Sequence, residues 1–178
     1  PFKIYITASL DNLLEQALAA QQPPREPQAL YYCWKSGLRT PDLVKRLAKL
    51  KTTPPTVRQP LVFHLFGVLD EPASWVLSED DFFEYLMWIN RSDNAIPDVV
   101  KTAWATNPLL FLGFKIHDWT ARVLFRSILN EDRWREILST GGLRPPYHSL
   151  AVQIQPGDDN LRPEGVRAYL RSLSPSNY

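Results

Sequence analysis

The spacing of apolar side chains changes period several times along the chain. Residues 2–8 alternate bulky and β-branched positions over a strand's length and predict a β-strand. Ser9 stands where a helix N-cap is wanted, and Leu10, Leu13, Leu14, Ala17 and Leu18 recur at helical spacing, which predicts a helix over residues 10–18. Pro23, Pro24 and Pro27 make residues 21–28 an extended linker, and residues 30–34 read as a short strand. Apolar density falls over residues 35–60, so this stretch is expected as a surface excursion with a short helix near 42–50. The run at 61–66, broken by Gly67, suits a strand covered on both faces.

Beyond this strand, Ser78 followed by Glu79, Asp80 and Asp81 reads as a helix start leading into residues 82–89. Pro97 opens another helix over 96–104, and residues 108–116 form a buried strand interrupted at Gly113. A long helix from Asp118, a strand at 149–154 and a last amphipathic helix at 162–173 complete the order. Strands alternating with helices predict an α/β fold with a mostly parallel, Rossmann-like sheet flanked by helices.

Composition agrees with a folded domain. The chain has 178 residues, 44% hydrophobic and 22% charged, enough for one α/β domain over 1–178 with its own core. Twenty Lys and Arg against 19 Asp and Glu leave a net charge of +1, and no single-sign field points to nucleic acid or an acidic membrane. Cys33 is the single cysteine, which excludes an intrachain disulfide and a cysteine zinc knuckle. No long apolar run or secretory leader pattern stands out, so a cytoplasmic location and no membrane contact are expected.

In an open parallel sheet, ligands bind beyond the carboxyl ends of the strands. Three strand-to-helix turns carry suitable residues. In the first, Thr7, Ser9, Asp11 and Asn12 either bind a ribose-phosphate at the start of a helix or simply cap that helix. In the second, His64 shares a face with Val62 and Phe66 on a regular strand and is either a hydrogen-bonded core histidine or a catalyst. Gly67 and Gly113 suit either a close backbone approach to a ligand or a turn of positive φ. His64, His117 and His148 lie too far apart for a helical metal motif, so no metal is expected. Trp75, Trp88, Trp104, Trp119 and Trp134 suit either a core or a partner surface. The chain contains no G-x-S-x-G elbow, no P-loop and no G-x-G-x-x-G.

Five stretches in order resemble the sirtuin-like NAD-hydrolase family of bacteria, a branch associated with antiphage defence. They are IYITASLDNLLE at 4–15, PLVFHLFGVLDEP at 60–72, VLSEDDFF at 76–83, LLFLGFKIHDWTARVLFR at 109–126 and AVQI at 151–154. The resemblance implies NAD as substrate or ligand and no metal. It places Thr7, Asp11, Asn12, Gly67, Gly113, Lys115 and Gln153 at the nucleotide, with Ser9 at the family's asparagine position. Phe66 occupies the family's histidine position, leaving His64 and Ser9 as the catalytic candidates, and a bulged strand end is the condition for His64 to reach the pocket.

The resemblance also implies that the family's glycine-rich first turn lies ahead of Pro1. This stretch would then be the larger part of one domain in a longer protein, inactive without that segment. The implied partners are the nucleotide, the missing segment, further domains and a second copy of the chain. Lysine deacylation, which in sirtuins accompanies a four-cysteine zinc module, is not expected. A catalytically degenerate fold serving as a sensing or interaction module is the alternative.

Overall fold

In the computed structural model, the described residues are 2–36, 41–91, 96–113, 123–124 and 150–152. They fall into two compact units, Pro1–Val100 and Lys101–Tyr178. In the first unit, β1 (Ile4–Thr7), β2 (Gln28–Leu30) and β3 (Leu61–His64) form a sheet in the order β1-β3-β2. Both pairings are parallel, with Ile4 opposite Leu61, Thr7 opposite His64 and Gln28 opposite Leu61. The central strand is the most apolar, as its sequence requires: Leu61, Val62, Phe63 and His64 are all buried.

The helices are α1 (Leu13–Ala19), α2 (Pro41–Thr52) and α3 (Glu79–Arg91). α1 begins at Leu13, later than the sequence suggests, because Asp11 Oδ1 takes the Leu13 N–H at 3.0 Å and closes a local turn first. The later start goes with a rotated inner face. Leu18 is buried and Asp11, Leu14 and Glu15 are half-buried, whereas Leu13, expected to face inward, is 63% exposed. α1 therefore turns the Glu15 carboxylate inward, toward His64 of the sheet.

β2 starts and ends earlier than the strand expected at 30–34, and Trp34–Ser36 instead form one 3₁₀ turn. Within the stretch expected as a surface excursion, α2 is anchored by buried Leu43 and by Arg46, whose Nη1 donates to the Ala29 carbonyl at 2.8 Å. α3 starts as its sequence dictates. The Ser78 hydroxyl accepts from Asp81 N at 3.0 Å and Asp81 Oδ2 accepts from Ser78 N at 3.2 Å, a reciprocal capping box. Its Phe82, Tyr85, Leu86 and Ile89 are buried.

Tyr85 gathers an aromatic cluster, with Trp34 at 5.8 Å, Phe66 at 6.1 Å and Trp88 stacked at 5.8 Å. Trp88 and buried Trp104 thus follow the core reading, and Trp75 Nε1 donates to the Val68 carbonyl at 2.6 Å. α4 (Asp98–Thr106) spans the boundary in sequence between the units. In the second unit, β4 (Leu110–Leu112) pairs in parallel with β5 (Leu150–Val152), Phe111 opposite Ala151. No helix among the described residues is long and apolar enough to cross a membrane.

Candidate functional site

The parallel pairing of β1 with β3 ends with Thr7 opposite His64, and Leu65 N donates to the Thr7 carbonyl at 2.9 Å. Two turns separated by more than fifty residues therefore leave the sheet side by side at its carboxyl end. The first turn is held by its own side chains. Thr7 Oγ1 accepts from Ser9 N at 3.0 Å, Ser9 Oγ donates to Asp11 Oδ2 at 2.5 Å, and Asp11 Oδ1 receives Leu13 N. The Ser9 hydroxyl, followed by the Leu13 N–H, holds the Asp11 carboxyl below its ordinary value, so the turn presents an ionised carboxylate.

Asn12 is the N-cap of α1 without making a capping bond; its Oδ1 accepts from Gln16 Nε2 at 2.6 Å. The capping reading of Ser9 is replaced by a bond to Asp11. Ser9 and Asn12 are exposed, and Thr7 and Asp11 half-buried, so this turn offers hydroxyl, carboxylate and amide groups to a ligand.

His64 lies beneath the turn on a regular, unbulged strand end and is 2% exposed. Its Nδ1 is 3.1 Å from the Ser9 carbonyl, and its Nε2 is 2.6 Å from Glu15 Oε1. A carbonyl oxygen only accepts, so Nδ1 carries hydrogen and donates. Nε2 and Oε1 then share one further proton, as imidazolium with carboxylate or as imidazole with carboxylic acid. Both ring nitrogens are thus engaged within the protein. Glu15 escaped the sequence reading. Its signal was position: three residues before Leu18, it shares that residue's helix face.

Gly67 closes the second turn with φ +94°. Its missing side chain has an internal reason, because a β-carbon there would collide with the Ser74 carbonyl and hydroxyl. Ser74 in turn accepts from Val68 N at 3.0 Å and donates to the Glu71 carbonyl at 2.5 Å. The loop reaches the first turn through Leu69 N, which donates to the Leu10 carbonyl at 3.0 Å. Phe66 turns toward α3, edge-on to Phe82 at 6.2 Å as well as to Tyr85.

The first unit therefore assembles Thr7, Ser9, Asp11, Asn12, His64 and Gly67 and adds Glu15. Gly113 belongs to the second unit, with φ +71° and, among the described residues, nothing within 4 Å of where a β-carbon would point. Lys115, Gln153, His117, His148, Trp119 and Trp134 lie outside the described residues.

A parallel α/β sheet with a polar turn over its strand ends defines a class of protein that takes ligands at that edge. Residues 3–164 match the SIR2-like domain family, and the chain belongs to that family. It is similar to the NAD(+) hydrolase ThsA of Enterococcus faecium, with 25% identity over 134 residues. That match covers 75% of this chain and 23% of the relative, so the chain spans about a quarter of the curated relative it matches. No solved structure matches.

Proposed function

We propose that the chain is a single sirtuin-like domain of a larger cytoplasmic, defence-type bacterial protein, and that it binds NAD and hydrolyses the bond between nicotinamide and ribose. The observation that carries this reading is the junction at the sheet's carboxyl end. It brings His64, remote in sequence, against the turn of Thr7, Ser9 and Asp11, beside the Leu65 N–H bond to the Thr7 carbonyl. The similar protein's description as an NAD(+) hydrolase supports the choice of nucleotide.

In the proposed reaction the C1′–N1 bond breaks, the electron pair leaves with nicotinamide, and water adds to C1′ to give ADP-ribose and one proton. Ser9, exposed and bonded to ionised Asp11, orients the water or the ribose, while Asp11 and Asn12 bind the nucleotide with Thr7. His64 supports Ser9 from below. Gly67 is a further proposed nucleotide-binding residue, and the family resemblance assigns the same role to Gly113, Lys115 and Gln153, without metal.

Phe66 favours a second reading. It stands where the family carries histidine, and its ring packs with Phe82 and Tyr85. A domain so altered would bind NAD as a sensor without cleaving it. Melting curves of the intact protein with NAD and with ADP-ribose test the binding common to both readings. Stabilisation by NAD that Asp11→Ala removes is the expected result, and no shift with either nucleotide would exclude both.

A further inference from the structure

Glu15 presents the least explained group in the first unit. Its side chain is 15% exposed, Oε1 meets His64, and Oε2 is buried with no hydrogen-bond partner among the described residues. Withdrawing a carboxylate from water for one contact is costly, and packed apolar side chains commonly serve stability as well or better. The contact must therefore be understood through what it touches. The imidazole that meets Glu15 at Nε2 donates from Nδ1 to the Ser9 carbonyl. That carbonyl belongs to the residue whose N–H bonds Thr7 and whose hydroxyl bonds Asp11. One imidazole thus ties helix α1 to the middle of the turn that precedes it, from below.

We propose that Glu15 is a positioning residue for the ligand-facing turn and that it acts through His64. It clamps the imidazole, the imidazole holds the Ser9 carbonyl inward, and Ser9 and Asp11 are kept facing the ligand side. This deepens the NAD reading and rests on it for its function, but the ordering of residues 7–13 by one carboxylate can be measured separately.

The chemistry of the clamp selects the variants. Glu15→Gln can donate an amide N–H to Nε2 and place its oxygen where Oε2 lies, preserving the hydrogen bond without the shared proton. Glu15→Ala removes the clamp. His64→Asn keeps a donor near the position of Nδ1 and loses the link to residue 15, so a Glu15→Ala change added to it has nothing left to act through.

The experiment is hydrogen-exchange mass spectrometry on the intact protein, comparing a peptide covering residues 5–18 with one from α3. Nicotinamide release from NAD is measured on the same samples. In Glu15→Ala, exchange in 5–18 is expected to rise by about tenfold, the equivalent of one lost hydrogen bond, with α3 unchanged. The rate of nicotinamide release should fall by about 100-fold, as for a misplaced reacting group. Glu15→Gln should leave exchange in 5–18 at the level of the unsubstituted protein and retain nicotinamide release within about tenfold. Glu15→Ala should cost nothing further in the His64→Asn protein.

Unchanged exchange in a folded Glu15→Ala protein would overturn the inference, and so would an equal loss with and without the His64 substitution. If the unsubstituted protein neither binds nor cleaves NAD, the functional reading fails instead, and the exchange comparison still decides the clamp.

Discussion

Gly67 lies directly against Ser74: a β-carbon on the glycine would occupy the space of the serine's carbonyl and hydroxyl. The same serine binds Val68 N and the Glu71 carbonyl, and its own carbonyl receives Trp34 Nε1 at 3.1 Å. This contact fixes the loop after β3, which then reaches Leu10 in the first turn. Gly67→Ala is expected to destabilise the protein by more than the roughly 1–2 kcal/mol that positive φ alone costs a residue with a side chain. Gly113→Ala, with the same sign of φ and no described residue within 4 Å of its β-carbon, should show only that backbone cost. Thermal melts of the two variants compare them directly; an equal loss would show that the Ser74 contact adds nothing.

Phe66 packs at the position where the resemblance implies a histidine. Its ring meets Phe82 and Tyr85 on α3, so Phe66→Ala should cost about 2–3 kcal/mol, below the range for fully buried rings because Phe66 retains some exposure. Phe66→His introduces the side chain that the resemblance implies there but places it against α3. Denaturant unfolding should show a loss of stability, and NAD turnover should not rise. A gain in turnover on Phe66→His would show that the imidazole reaches the ligand.

Ser9 and Asp11 make a pair whose proton chemistry can be read by titration. The Ser9 hydroxyl is the leading reason that the Asp11 carboxyl lies below its ordinary 3.8. In Ser9→Ala the Asp11 titration, followed by carboxyl NMR shifts, should move up toward that value. Ser9→Asn, which introduces the residue that the resemblance implies there, should preserve turn order and increase turnover. An Asp11 midpoint indifferent to Ser9→Ala would remove the hydroxyl from this account.

Asp81 supplies a pH dependence remote from the site. Lys35 Nζ at 2.7 Å, then the Leu77 and Ser78 N–H groups at the helix start, lower its carboxyl from 3.8 to about 2. A group whose folded value is depressed stabilises the fold fully above its unfolded value and loses that contribution as pH falls through the folded one. The Asp81 contribution should therefore be intact above pH 3.8 and disappear as pH drops toward about 2. The difference in denaturation midpoint between the unsubstituted protein and Asp81→Asn measures it; a difference constant across that window would contradict the ion pair.

The sequence made β1 and β3 legible because their apolar runs are bounded by turn residues, and made the start of α3 legible because Ser78 and Asp81 stand at capping-box spacing. It misplaced the start of α1. Ser9 has the chemistry of a cap, but Asp11 competes for its hydroxyl and takes Leu13 N–H, and that choice between two local bonds is settled only in three dimensions. The rotation that exposes Leu13 and turns Glu15 inward follows from the same event.

The candidate site was legible residue by residue in the first turn, where neighbours in sequence are neighbours in space. The role of Glu15 was not. Its partner His64 is 49 residues away, and only the parallel register of β1 on β3 brings them together. Likewise, Gly67 left two readings open until Ser74 was seen against it.

The most direct test of the proposed NAD site is to incubate the intact protein with NAD and follow nicotinamide and ADP-ribose by chromatography, beside Ser9→Ala and His64→Ala. Equimolar release of the two products by the unsubstituted protein and loss of release in both variants are expected, with the folded state of each confirmed by circular dichroism. Release that continues undiminished in both variants would contradict it, as would no release together with no change in melting temperature on adding NAD.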